Sequence, residues 1–469
     1  MKTFFAALLF FSIAFAVNGQ ITFQKTYGGN YLDFGHSVQQ TTDGGYMLFG
    51  QTQSFGNGGR DMYLVKTDSL GNEQWYQTYG GPDWEYGISA LQTTDGGYML
   101  CGAYSGLSND SLALIKTDSV GNVVWNKRFS GTTDRDVGQF VQQTTDGGFV
   151  AVGFTGPAFT EDIYVVKTDP SGNEEWNKVY NSTGRENAVG VRQTSDGGFA
   201  IIGETNSKGH GGIDMYLIKT DSSGDTTWTR TYGTPNDEMG RSLFITSDKG
   251  YILLGYENFP GGNLYLVKTD SSGNEQWSNY FGGPGWDFGN SVQQTTDGGF
   301  ILAGRKENTT LGTNDMYCVK TDSSGTVVWE QTFPLGIMSD ANSVQQTTDG
   351  GYILLGSTSD TVGVFDSNMY LVKIDANGLI SVDENDRLSF NVIAYPNPFT
   401  EYTSLELPDP KNRNYALTIV SSQGKIIRKI KNIKTGTIRI HREDLARGLY
   451  FYQLVSEGKT VASGRLVVN

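Results

Sequence analysis

Polar and apolar residues recur along this chain in a fixed order, seven times over. The first copy opens with HSVQQT (His36 to Thr41), where polar and apolar residues alternate, then turns at Asp43-Gly44-Gly45 and continues as YMLFG (Tyr46 to Gly50). Alternation at period two predicts a strand with one covered face. The uninterrupted apolar run predicts a strand covered on both. Between them, Asp-Gly-Gly supplies the positive φ angles of a tight hairpin. The second glycine of the turn falls at Gly45, Gly97, Gly148, Gly198, Gly250, Gly299 and Gly351, a spacing of 49 to 52 residues. Repeats of that length built from short strands predict a propeller or a solenoid.

Two more strands complete each unit. The third is DMYLVK from Asp61, with counterparts at Asp162, Asp214 and Asp315, and it ends in a Lys-Thr-Asp turn. The fourth carries Trp75 and Tyr79, four residues apart and so on one face. That pair returns as Trp125/Phe129, Trp176/Tyr180, Trp228/Tyr232, Trp277/Phe281 and Trp329/Phe333. In the seventh copy the equivalent position is Val382, whereas Phe23 and Tyr27 show the same spacing ahead of the first copy. A strand lent by the N-terminus to the last unit closes a ring and removes its open edges. The expected architecture is all-β: a seven-bladed β-propeller of four-stranded blades over residues 20–382, its N-terminal strand closing the last blade.

Composition agrees with many tight turns, since 62 of the 469 residues are glycine and only 11 are proline. Cys101 and Cys318 lie in separate apolar runs and are read as buried thiols rather than a bridge. With so few cysteines and only three histidines, no metal cluster is expected. The net charge of −15 divides into +4 from Asp383 onward and −19 before it. An acidic body argues against nucleic acid as a partner. Lys2 followed by FFAALLFFSIAFAV has the form of a secretory signal, 1–19, cleaved before Gln20 or alternatively after Ala16. No other segment is long and apolar enough to suggest a membrane span.

The turn KTDSLGNEQW resembles the tryptophan-docking motif of quinoprotein propellers, in which an Asp, a Gly and a Trp lock adjacent blades. Here the spacing is one residue shorter and the units number seven rather than eight, so the resemblance extends to the fold. No pyrroloquinoline quinone site or other cofactor is expected. Past a polar linker, residues 383–391, the composition changes again. Residues 392–469 resemble the type A C-terminal sorting domain of type IX secretion. Three motifs carry that likeness: Tyr395-Pro396-Asn397-Pro398, Gly448-Leu449-Tyr450 and Gly464-Arg465 near the end. The resemblance implies a small Ig-like β-sandwich, the type IX machinery as partner, and a location outside the cell or on its surface.

Functional residues are sought where the repeat breaks, on the face carrying the connections before the first strand and after the second. An acid stands ten residues ahead of each turn aspartate: Asp33, Glu85, Asp136, Glu186, Glu238 and Asp287, with Ser339 in the seventh copy. So regular a ring suits turn caps better than glycosidase chemistry, which needs two carboxylates in unlike settings. The residue before the acid does not repeat. Leu32, Trp84, Trp286 and Met338 make one half of the rim apolar, while Arg135, Arg185 and Asp237 make the other half charged. Tryptophans beside Glu85 and Asp287 suit a glycan, by stacking and edge hydrogen bonds, unless they are packed between blades. His36 has no triad partners and is read as a solvated or core histidine, while the lysines from Lys66 to Lys373 are read as structural. No catalytic residue is expected. The function expected is that of a non-catalytic binding protein for a glycan or protein, with an extracellular polysaccharide enzyme of the endoglucanase-like hydrolase kind as the alternative.

Overall fold

A computed structural model describes residues 20–105, 110–131, 135–180, 182–258, 261–359, 366–380, 392, 394–407, 414–421, 426–434, 436–442, 445–456 and 459–469. The expected signal peptide and linker lie outside the described residues. The chain divides into two units, Met1–Ser381 and Val382–Asn469.

In the first unit every repeat is a four-stranded antiparallel blade. Blade one consists of Asp33–Gln40, Tyr46–Thr52, Asp61–Thr67 and Glu73–Tyr79, hydrogen-bonded in that order. Blades two to six repeat the plan as far as Phe333. Blade seven takes Tyr352–Ser359 and Ser367–Ile374 as its middle strands, and Phe23–Tyr27 pairs antiparallel with the latter as its outer strand. Its inner strand is split into Met338–Ser339 and Ser343–Gln346. Blades six and seven are also joined by one parallel bridge, Asn314 to Met338. Seven apolar clusters, each drawn from two neighbouring blades, run round the ring, and the last unites Phe23, Tyr27 and Leu355 with Tyr46 and Tyr63 of blade one. The closed seven-bladed propeller is therefore observed.

The local reasons are repeated too. In the first hairpin Gly44 has φ +83°, which favours glycine, and a Cβ on Gly45 would stand 2.1 Å from the Thr67 carbonyl oxygen, which requires it. The Asp43 carboxylate accepts from Thr41 Oγ1 and the Gly45 amide, and it pairs with Lys66 Nζ at 2.8 Å. All seven lysines pair with their turn aspartate in this way, which explains their strict repetition. On the outer strands Trp75 packs against Gly121 of the next blade, where Tyr79 Oη donates to the Gly121 carbonyl at 2.8 Å. Phe23 and Tyr27 make the same two contacts with Gly71, so the N-terminal strand occupies the docking position of a seventh tryptophan strand.

The second unit is a small Ig-like sandwich. Its sheets are Ala394–Tyr395, Tyr402–Glu406 and Thr437–His441 on one side and Tyr415–Ser421, Ile426–Ile433, Gly448–Ser456 and Lys459–Val468 on the other. Leu405, Ile438 and Ile440 of the first sheet share a core with Leu417, Ile419, Leu454 and Leu466 of the second.

Candidate functional site

Most polar residues that the repeat preserves around the axis are engaged in holding blades together. Gln39 Oε1 accepts from the Gln92 amide at 2.7 Å, and Gln40 Oε1 from the Thr348 amide at 2.8 Å, closing the ring. Ser89 and Ser343 accept from the amides of Val141 and Val38. Their constancy is structural, and they leave little for a ligand.

The acids ahead of the inner strands belong to the same frame. Asp33, Glu85 and Asp287 are buried. Asp33 accepts from the Gly29 amide and the hydroxyls of Ser54 and Thr52. Glu85 accepts from the Gly81 amide at 3.1 Å, and Asp287 from the amides of Gly283 and Glu307. Burial raises the carboxyls of Glu85 and Asp287 above the ordinary carboxylate range, against the pull of these amides. Asp33, Glu85 and Asp287, candidates for the rim site, are thus engaged as caps of the turns that enter their inner strands.

The non-repeating rim residues are placed differently. Trp84 is 46% exposed, with the Arg60 guanidinium 4.9 Å from its ring centre and Tyr86 beside it. Met338 is exposed, and Leu32 is partly buried and bridged to Ser367. Trp286 is partly buried and lies parallel to Phe288, with ring centres 6.1 Å apart.

Phe288 leads from the rim into the axis. The inner strands enclose a channel of about 820 Å³, lined by residues from all seven blades. Six inner strands carry a β-bulge three residues in, and blade seven is interrupted at the same place. A bulge turns its extra residue out of the ladder. The bulge positions hold His36, Ile88, Gln139, Val189, Arg241, Asn290 and, in blade seven, Asn342, all of which line the channel. In a chain of near-identical repeats, this position holds six residue types in seven copies.

Variation continues toward the rim in blades five to seven. Arg241 donates to Tyr256 Oη at 2.9 Å. Tyr256 meets Phe288 edge-on, with ring centres 4.4 Å apart, and Arg305 lies over Phe288 at 4.3 Å. Asp340 accepts from the Ser357 amide, and Asn290 donates to the carbonyl of Ala341. Deeper in, Arg192 lies over Phe140 at 4.4 Å. Tyr256 and Arg305 sit at the ends of second strands nearest the variable loops, so the cluster marks the mouth on that face.

Burial lowers the pKa of His36 to about 4, with Arg60 adding to the effect, so the imidazole is neutral near pH 7. Burial lowers Arg192 to about 10 and lowers Arg305, and both remain cationic. Burial also opposes the charge on Arg241, but Tyr256 and Glu204 more than offset it. Asp340 is raised by burial despite the Ser357 amide and Arg305. Among the described residues no group of three or more His, Cys, Asp or Glu could hold a metal ion. Sequence reasoning missed Arg241, Tyr256, Phe288, Arg305 and Asp340. For Arg241 the available signal was the residue three after each acid, which takes six identities in seven copies.

In the C-terminal unit the motif residues meet in space. Asn397 donates to the Arg465 carbonyl and accepts from the Val467 amide, both at 2.8 Å, binding the Pro-Asn-Pro segment to the last strand. A Cβ on Gly464 would stand 2.6 Å from the Tyr452 ring, whose hydroxyl donates to the Val392 carbonyl. Tyr450 is buried and donates to the Ala446 carbonyl, whereas Tyr395, Leu449 and Arg465 are exposed. Residues 393–469 match the family of secretion system C-terminal sorting domains. The sorting domain marks the chain as a type IX substrate, secreted or held at the cell surface. No curated protein matches the chain in sequence. Among solved structures, an ulvan lyase of polysaccharide lyase family 25 is 11% identical with a TM-score of 0.49, covering 78% of this chain and 98% of its own. The WD40 domain of Neurospora crassa Pan2 is also 11% identical, with a TM-score of 0.46 over 72% of this chain and 88% of that one. The assignment of fold rests on the strand register described above.

Proposed function

We propose that this is a non-catalytic binding propeller, carried across the inner membrane by the signal at residues 1–19 and exported by its sorting domain, with a glycan ligand at the channel mouth. One observation carries the reading. Non-repeating aromatic faces (Trp286, Phe288, Tyr256) gather at one mouth beside Arg305, whose Nε has no hydrogen-bond partner, and rings beside free donors suit a sugar. The apolar rim of Leu32, Trp84, Trp286 and Met338 forms the outer part of the same surface. The channel volume lies within the range of about 300–1,000 Å³ common to small-ligand sites.

A glycan array probed with the mature chain tests the proposal. Binding is expected to one class of sugar, and Trp286→Ala and Tyr256→Ala should each weaken it while leaving the melting temperature within a few degrees. Binding unchanged in both variants would move the site elsewhere. Turnover of a polysaccharide by the wild-type chain would replace the binding role with an enzymatic one.

A further inference from the structure

Three arginines line the channel, at Arg192, Arg241 and Arg305, and among the described residues none is held by a carboxylate in direct contact. Arg60 near the rim is held in the same way, over Phe34, Trp84 and Tyr86 with its Nε buried unpartnered, but many other cations of the chain are paired. The seven turn lysines each pair with an aspartate, Arg135 pairs with Asp110, and Arg185 with Glu161. The channel arginines are positioned by aromatic faces instead: Arg305 over Phe288, Arg241 over Tyr256 and Arg192 over Phe140. A ring face fixes a guanidinium without using its in-plane N–H donors. Arg241 uses one donor on the Tyr256 hydroxyl, and Arg192 one on the Val191 carbonyl. Arg305 Nε is buried without a hydrogen-bond partner, an unsatisfied donor of a kind that folded proteins seldom tolerate. The carboxylate lining the channel is Asp340, which is occupied by the Ser357 amide. Three arginines and one carboxylate therefore line the channel, with Glu204 acting on Arg241 from outside the lining.

We infer that the ligand at the mouth is anionic, a sugar chain bearing carboxylate or sulfate groups that the Arg241 and Arg305 forks receive beside the Tyr256 and Phe288 rings. This rests on the binding role proposed above and narrows its ligand. A planar guanidinium matches both anions with paired hydrogen bonds, while the rings supply stacking for the sugar body. The net charge of −19 before Asp383 sharpens the inference, because an acidic propeller disfavours non-specific attraction of polyanions to its own surface.

The test uses the mature chain and three soluble probes: polygalacturonate for carboxylate, dextran sulfate for sulfate, and unmodified dextran as the neutral arm. Titration should show binding to one or both charged probes, weakening as salt rises, and none to dextran. Arg241→Gln and Arg305→Gln should each weaken that binding tenfold or more and flatten its salt dependence. Lys178→Gln removes a cation from an outer strand and should change it less than twofold. Arg241→Lys keeps the charge but not the fork, and should fall between wild type and glutamine. Preference for one charged probe would identify the anion. Binding to dextran, unaffected by the arginine variants, would overturn the anionic ligand while leaving a glycan-binding role intact. Equal losses in Lys178→Gln and the channel variants would mean diffuse attraction and also overturn it. No binding to any probe, with a glycan array equally silent, would overturn both readings.

Discussion

Replacing Phe23 by alanine tests whether the N-terminal strand closes the ring. Phe23 is 9% exposed, meets Tyr46 edge-on with ring centres 6.0 Å apart, and packs on Gly71. A phenylalanine buries roughly 150–250 Å², which at about 25 cal/mol per Å² corresponds to roughly 4–6 kcal/mol. Alanine retains part of that area, and the site lies at a ring seam where water can enter the space left behind. The expected cost is therefore at the low end for Phe→Ala, about 3 kcal/mol. Tyr27→Phe, which abandons the bond to the Gly71 carbonyl, should cost about 1 kcal/mol. Deleting residues 20–29 should cost more than both together, because it strips the outer strand from blade seven and exposes the pairing edge of Ser367–Ile374. Tyr31→Ala is the control, since Tyr31 is exposed just past the strand, and should stay within about 0.5 kcal/mol. Urea unfolding of the mature chain gives these differences. A deletion variant with the wild-type midpoint would show that blade seven is stable without this strand, and the closure argument would fail.

Other outcomes follow from the same frame. Lys249 replaces the first turn glycine in blade five and sits at φ +68°, so Lys249→Gly should raise stability by about 1 kcal/mol, and a loss would contradict the strain argument. Despite partial burial, the lysine bond, the threonine hydroxyl and a backbone amide hold Asp43, Asp95, Asp146, Asp196, Asp248 and Asp297 at about 2. A carboxyl depressed in the folded state gives its full stability above the unfolded value of about 3.9 and loses it as pH falls through the folded value. Melting temperature should therefore drop between about pH 4 and pH 2, less steeply in Lys66→Met, and a flat profile over that window would count against the pairs. Deleting residues 445–469 should leave the propeller in the periplasm, and wild-type amounts in the medium would contradict the role given to the sorting domain.

The blades were legible because each strand carries its own signal. Period two marks the inner strand, the continuous apolar run marks the second, and the spacing of Trp75 and Tyr79 marks the outer. The missing tryptophan strand and its replacement at Phe23 and Tyr27 could be counted from spacing alone. The channel mouth was not legible, because its parts become neighbours only when the ring closes. Arg305 and Tyr256 lie on second strands, Arg241 and Phe288 on inner strands, and no single repeat contains the cluster. The bulge was hidden for a related reason: the residue it turns into the channel, His36 in blade one, looks like any other strand residue. The acids misled in the opposite way. Glu85 and Asp287 stand next to tryptophans in sequence, yet they point into turns, where the amides of Gly81 and Gly283 receive them. In the sorting domain, the bonds from Asn397 to Arg465 and Val467 join the first and last motifs across about seventy residues, a link that spacing does not disclose.

The measurement that bears most directly on the account is a crystal structure of the mature chain with an oligosaccharide of the tightest-binding probe. The account predicts density for the sugar at the channel mouth on the variable face, an acidic group within hydrogen-bond distance of Arg241 or Arg305, and a ring against Tyr256, Phe288 or Trp286. Sugar bound on the opposite face, at the Asp-Gly-Gly hairpins, or along the outer strands with the mouth empty would contradict it.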